Sequence, residues 1–150
     1  MYGNSHSVGA ESKGIEMEIK GGCLCGAVRY TAEADPTSAT VCHCRDCQKF
    51  TGSAFAALVG VPKEAMTIEG TPKTFGSIGG SGNPILRHFC PECGSSIAEE
   101  SSMRPDSIIL NVGTFDDPSV AKAGREIFRD DALPWIEVHG DISRFAKRAG

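Results

Sequence analysis

Val41-Cys42-His43-Cys44-Arg45-Asp46-Cys47-Gln48-Lys49-Phe50-Thr51-Gly52 packs three cysteines into six residues as C-x-C-x-x-C. Three thiols are therefore drawn together whatever the surrounding fold does. Four more cysteines stand outside this stretch, as C-x-C at Cys23 and Cys25 and as C-x-x-C at Cys90 and Cys93. Four thiolates complete a closed tetrahedral zinc site, whereas three leave one coordination position for something else. Seven cysteines split four plus three predict two zinc ions per chain, one holding the fold and one open to a ligand.

The flanking sequence reads as short strands and tight turns. Upstream, Ile15 to Lys20 alternates apolar and polar residues, the pattern of a half-buried strand. Gly21-Gly22 is expected to break it. In the following Cys23-Leu24-Cys25-Gly26, an extended chain points residues i and i+2 to one side, so both sulfurs face the same point. Ala27 to Ala32 continues as a strand with Val28 and Tyr30 on one face, and Asp35-Pro36-Thr37 is a turn. Ala39 to Cys42 delivers the chain into the central motif, and Arg45 to Phe50 folds back as a helical turn.

Downstream, the apolar run Ala54 to Val61 reads as a fully buried strand. Met66 to Glu69 and Lys73 to Phe75 are two further short strands. Gly76 to Asn83, rich in glycine and serine, is expected to be a mobile loop bordering a site. Ile85 to Phe89 is a strand that ends in Cys90-Pro91-Glu92-Cys93-Gly94, a zinc knuckle whose proline fixes the entry and whose glycine relieves the exit. Ser95 to Ala98 and Ile108 to Val112 are strands, and Asp116-Asp117-Pro118 is a turn. The tail alternates weakly around Ile127-Phe128 and Leu133-Pro134-Trp135-Ile136, then turns polar from Asp141 to Gly150.

Totals bound the reading. At 150 residues the chain suits one domain, residues 15–150, behind a flexible polar leader, residues 1–14. Eighteen glycines and eight prolines favour strands and turns over a helix bundle. The formal net charge of −4, made more negative still by zinc-bound thiolates, with no basic run, argues against nucleic acid and for a small-molecule partner. No apolar run reaches the length of a membrane span. An odd cysteine count without a secretion signal argues against a disulfide framework and places the protein in the cytoplasm.

Other ligand sets remain open at this level. Cys44, Cys47, Cys90 and Cys93 could form a single zinc ribbon, or His43 or His88 could close the three-cysteine site. The four outlying cysteines could also be unrelated core residues. His43 lies between two ligand cysteines and in extended geometry points away from the metal. Arg45, Lys49 and Arg87 stand next to thiolates and can offset their charge. Gln48, Thr51 and Ser53 lie near enough in sequence to reach a ligand or to cap the turn.

Three thiolates on one zinc make a weaker Lewis acid than three histidines, so plain metal-hydroxide hydrolysis is disfavoured. A soft, exchangeable position suits an incoming sulfur ligand, whose thiol pKa the metal lowers. Addition of that thiol to a small carbonyl, or the reverse, fits this chemistry.

The same residues closely resemble the glutathione-dependent formaldehyde-activating family, also called the centromere-protein-V-like zinc domain. The matching pieces are Gly22 to Val28, Cys42 to Lys49 with Thr51-Gly52-Ser53-Ala54-Phe55, Arg87 to Ser95, and Asn111 to Asp117, with Trp135 near the end. All seven cysteines fall in register across about residues 15–147. The resemblance implies a mainly β fold, a β-tent of the Mss-four-like type built from short antiparallel sheets stapled by zinc. It implies Cys23, Cys25, Cys90 and Cys93 as a structural zinc site and Cys42, Cys44 and Cys47 as a catalytic one. It further implies a zinc-dependent carbon–sulfur lyase acting on a thiol adduct such as S-hydroxymethylglutathione, with glutathione as co-substrate. Arg45, Lys49, Arg87 and Arg104 are candidates for its carboxylates. The competing reading is a non-catalytic zinc module that binds a protein partner, and a third is zinc storage or delivery.

Overall fold

The computed structural model describes residues 15–149. The leader read at residues 1–14 lies outside the described residues, as does Gly150. Strands β1 (Met17–Gly22) and β2 (Arg29–Ala34) pair antiparallel, and β2 pairs in turn with β5 (Met66–Glu69) to make a three-stranded sheet. Eight strands make the larger sheet: β3 (Ala39–Cys42), β4 (Ala56–Pro62), β6 (Lys73–Ile78), β7 (Pro84–Phe89), β8 (Ser96–Ser101), β9 (Ser107–Asn111), β10 (Ala123–Ile127) and β11 (Ser143–Arg144). Their order is β11-β10-β3-β4-β9-β8-β7-β6. One short α-helix, α1 (Arg45–Thr51), follows β3 directly. This is the mainly β architecture that the glycine content favours, consistent with the β-tent that the family resemblance implies.

Alternation sorts the side chains. Ile19, Tyr30, Ala32 and Ala34 of the small sheet, with Val28 just before β2, pack with Val59, Val61, Ile97 and Leu110 of the large one. Val61, Ile97 and Leu110 are wholly buried, each contributing about 1.5–3 kcal/mol by leaving water. Cys23 and Cys90 belong to this cluster as well. A second, smaller cluster holds Cys42, Cys44, Cys47, Ala56 and Leu58, flanked by Ile109, Ile127 and Phe128. The two sets of cysteines thus sit in two different apolar regions.

Several boundaries differ from the sequence reading. Gly21 and Gly22 do not break β1 but lie in it. Gly21 also bridges to Phe115, and a Cβ there would come within 2.4 Å of the Thr114 carbonyl oxygen, so close approach is what requires a glycine. The strand predicted from Ala54 starts at Ala56 and is not buried throughout, since Gly60 and Pro62 are exposed. The loop expected at 76–83 is shorter than read: Gly76 to Ile78 belong to β6 and pair with β7, and Gly79 to Asn83 form the turn between the two strands. Leu133 to Ile136, where the sequence alternates weakly, forms a turn.

Not every pairing is antiparallel, either. β10 runs parallel to both β3 and β11. It lies beside the strand that carries Cys42, with Ile127 opposite Cys42 and Glu126 opposite Val41. No helix among the described residues is long and apolar enough to cross a membrane.

Candidate metal centre

The sulfurs gather as a quartet and a trio. In the quartet, Cys23 and Cys25 are supplied by the turn between β1 and β2, and Cys90 and Cys93 by the turn between β7 and β8. All four ligand atoms lie within 4.8 Å of one another. Cys23 Sγ is 3.6 Å from Cys25 Sγ, and Cys25 Sγ is 3.8 Å from Cys90 Sγ. A tetrahedron with zinc–sulfur bonds of about 2.3 Å has edges of about 3.8 Å, so the donor set fits the ion. Gly26 and Gly94 close the two turns in the left-handed conformation, at φ 84° and 77°.

Backbone donors face these sulfurs. Val28 N–H donates to Cys23 Sγ, and Cys93 Sγ lies 3.2 Å from the Ser95 hydroxyl. The Ser95 side chain and backbone hold the Cys93 thiol down at about 5. Such contacts favour the thiolate that a metal needs.

The trio is built differently. Cys42 ends β3, Cys44 is the N-cap of α1, and Cys47 lies in the first turn of that helix, where its N–H donates to Cys44 Sγ. All three are buried. Their ligand atoms also lie within 4.8 Å of one another, and no His, Asp or Glu among the described residues joins them. Hydrogen bonds from Cys42 and Cys47 hold the Cys44 thiol far below its ordinary value. The Cys44 sulfur in turn pushes Cys42 up to about 12, while Cys42 and Cys44 push Cys47 up. Burial and mutual repulsion oppose more than one negative charge on these sulfurs, and a bound dication would favour all three thiolates.

The histidines stand elsewhere. His43 is wholly buried and turns away from the sulfurs, its Nε2 at 2.7 Å from Glu126 Oε1. Glu126, itself wholly buried, also accepts from Arg129 Nη1 and Arg144 Nε. His88 pairs with Glu100 at 2.6 Å. Neither ring closes the trio, and Cys44 and Cys47 do not assemble with Cys90 and Cys93.

Gln48 does not face the sulfurs: its Nε2 donates to the carbonyls of His43 and Asp131, pinning the loop that carries Cys42 and Cys44 to the chain beyond β10. Thr51 Oγ1 donates to the Cys47 carbonyl and accepts from Ser53 N–H, so these two shape the end of α1.

The trio opens onto a cavity of about 520 Å³, which the quartet does not border. Its apolar wall includes Leu58, Ile109, Ile127 and Phe128, and Gly79 to Ser81 form part of the rim. Phe128 is the one non-glycine residue with positive φ among the described residues, at 55°, a strained backbone that turns the chain at this wall. Four arginines line the cavity, Arg87, Arg104, Arg125 and Arg148, against two acids, Asp35 and Glu99. Asp35 is engaged by the Thr37 N–H and hydroxyl.

The surplus is therefore cationic in a chain whose net charge is −4. Arg45 and Lys49 are exposed and do not line this cavity, so of the four basic residues singled out by sequence only Arg87 and Arg104 do. Arg125 and Arg148 carried no sequence signal, nor did Glu99. Burial pushes the Glu99 carboxyl up, Arg87 partly offsets it, and the Cys44 and Asp46 charges add to the rise.

The family model described as glutathione-dependent formaldehyde-activating enzyme matches residues 18–131, which takes in both sets of cysteines. No curated protein matches the chain. A crystal structure of a Rhodobacter sphaeroides protein has the same fold, with a TM-score of 0.52 at 19% identity over 83% of this chain and 98% of that one.

Proposed function

Because the chain belongs to the glutathione-dependent formaldehyde-activating enzyme family, we propose that it is a zinc-dependent carbon–sulfur lyase acting on a thiol adduct such as S-hydroxymethylglutathione. The observation that carries this reading is the trio. Three buried thiols, with no fourth protein donor among the described residues, open into a cavity large enough for a small ligand. Cys23, Cys25, Cys90 and Cys93 would hold one zinc as a closed structural site, and Cys42, Cys44 and Cys47 a second. That second ion, when bound, supplies a soft position that lowers a substrate thiol's pKa and steadies the sulfur as a leaving group.

The chain's own residues do the rest. Leu58, Ile127 and Phe128 give the reacting carbon a dry wall. Arg104, Arg125 and Arg148 present guanidinium groups to the free carboxylates of a peptide-like thiol. Of these, Arg125 is the best fixed, since its Nε donates to Thr40 Oγ1 at 2.9 Å and leaves its two terminal nitrogens for a ligand. We place the protein in a reducing compartment such as the cytoplasm, because all seven cysteines are free of disulfide bonds.

Two-dimensional exchange NMR of formaldehyde with glutathione tests the reading. Zinc-loaded protein should accelerate interconversion of the adduct with its components. Exchange at the background rate would remove this substrate, and normal folding and partner binding by a Cys44→Ser protein would favour a non-catalytic zinc module.

A further inference from the structure

Glu99 is the unexplained group in the cavity. It lies on β8 between Arg87 of β7 and Ile109 of β9, its direct partners across the sheet. Only 8% of the residue is exposed, and what is exposed faces the cavity shared with the three sulfurs. Its nearest cation, Arg87 Nε, stands 3.6 Å away, beyond hydrogen-bonding distance, and that nitrogen has no other partner. Arg87 is occupied instead by Ser77, to which Nη1 donates at 2.8 Å, and by the Phe50 ring of α1. Neither Glu99 oxygen accepts a hydrogen bond among the described residues. Three other shielded carboxylates are satisfied: Glu126 by three donors, Glu100 by Lys63 and His88, and Asp35 by Thr37.

A buried carboxylate without a donor is destabilising, and it persists where a ligand completes it. Glu99 and the trio line one cavity, and neighbouring contacts hold their two elements together. Ser96 Oγ donates to the Phe50 carbonyl, and Arg87 lies over the Phe50 ring, so the helix that carries Cys47 is fastened across β7 and β8.

We propose that Glu99 is the catalytic residue that carries the proton in the carbon–sulfur step, an assignment that rests on the lyase reading above. In the cleavage direction the adduct's hydroxyl proton passes to the Glu99 carboxylate. The oxygen's electron pair then forms the carbonyl, the carbon–sulfur bond breaks, and the sulfur leaves with the bonding pair. Glu99 returns its proton to that sulfur, so aldehyde and thiol are released and the carboxylate is regenerated. Addition runs through the same transfers in reverse. No oxidant, reductant or further reactant is needed. The hydroxyl of the bound adduct is also the donor that the unpartnered carboxylate lacks.

The experiment compares wild type, Glu99→Gln and Glu99→Ala by exchange NMR with glutathione and formaldehyde, alongside zinc content. Glu99→Gln should keep its zinc and its KM while kcat falls about 100-fold, the usual size of a general acid–base contribution. Glu99→Ala should fall as far and regain activity, with saturation, on adding formate, a small carboxylate that fits the space created. This second variant decides the matter should the amide fail to fold. A Glu99→Gln rate within threefold of wild type overturns the assignment, and so does a folded, zinc-loaded Glu99→Ala that formate leaves inactive. Wild type at the background rate would overturn the lyase reading and this assignment together, whereas the other two failures leave that reading standing.

Discussion

Glu126 and His43 meet at 2.7 Å with both side chains wholly buried, although 83 residues separate them in the chain. The contact joins β10 to the loop that carries Cys42 and Cys44, beside the parallel pairing of β10 with β3. Arg129 and Arg144 converge on the same carboxylate, so a single glutamate ties three segments together behind the metal loop.

Removing that carboxylate strands several polar groups in a dry place. Glu126→Ala should destabilise the zinc-loaded protein by about 3 kcal/mol or more, the usual cost of breaking a buried pair from one side. Denaturant unfolding at neutral pH measures it. A loss below about 1 kcal/mol would show that the contact is incidental.

The pair also predicts a pH dependence. Burial alone would raise the Glu126 carboxyl, but hydrogen bonds from His43, Arg129 and Arg144 and the Arg129 charge outweigh it, and the net direction is down. A depressed carboxylate contributes stability that is present above its unfolded pKa of about 4.3 and lost as pH falls through the folded value. Wild type should therefore exceed Glu126→Gln in stability at pH 6, with the gap closing as the pH drops below about 4. Comparing the two proteins at each pH cancels the loss of zinc that acid causes in both. A gap that widens on acidification would contradict the sign.

The two sets of cysteines should fail differently. Cys90 is wholly buried in the main apolar cluster, and the quartet links the β1–β2 turn to the β7–β8 turn. Cys90→Ser should unfold or aggregate, because structural zinc contributes folding free energy directly. Cys44→Ser should stay folded, keep the structural zinc and lose activity. Circular dichroism with zinc analysis separates the two, and equal damage from both substitutions would argue against a division of roles.

Tyr30 offers a test of the interface between the sheets. Burial pushes its phenol up to about 12, only partly offset by the Thr114 hydroxyl at 2.7 Å. A phenol with a raised pKa contributes stability that is fully present below the unfolded value of about 10 and is lost as the pH rises from there to about 12, roughly 3 kcal/mol in all. In a Tyr2→Phe background Tyr30 is the sole tyrosine, and absorbance at 295 nm should show it ionising only above pH 11. A midpoint near 10 would mean that the small sheet packs loosely.

Much of this protein could be read from its cysteines, because metal-ligand spacing is a local signal that tertiary context does not rewrite. C-x-C in extended chain and C-x-x-C at a turn are short-range geometries, and they locate the sites before the fold is known. The alternation that marks β1 was equally legible.

What the sequence concealed depends on long-range pairing. Ala123-Gly124-Arg125-Glu126-Ile127 has little apolar periodicity, and it becomes a strand because β3 waits beside it, about 80 residues earlier in the chain. Glu126 consequently reads as a solvated charge and is a buried one. Glu99 was hidden for a related reason: in Ser96-Ile97-Ala98-Glu99-Glu100 two adjacent acids suggest the end of a strand, yet β8 continues and sends one acid to the cavity and the other to Lys63 and His88. The loop expected at 76–83 erred the same way only at its start, where pairing with β7 overrides the weak strand preference of Gly76 and Ser77.

The account stands on the unlike completion of the two sulfur sets, and a zinc-edge anomalous map from crystals grown with a small thiol tests it most directly. Two peaks per chain are predicted, one ringed by the sulfurs of Cys23, Cys25, Cys90 and Cys93. The other should be held by Cys42, Cys44 and Cys47, with the added thiol's sulfur as fourth neighbour on the cavity side. A single peak, or a second ion whose fourth donor is a protein side chain, would contradict it.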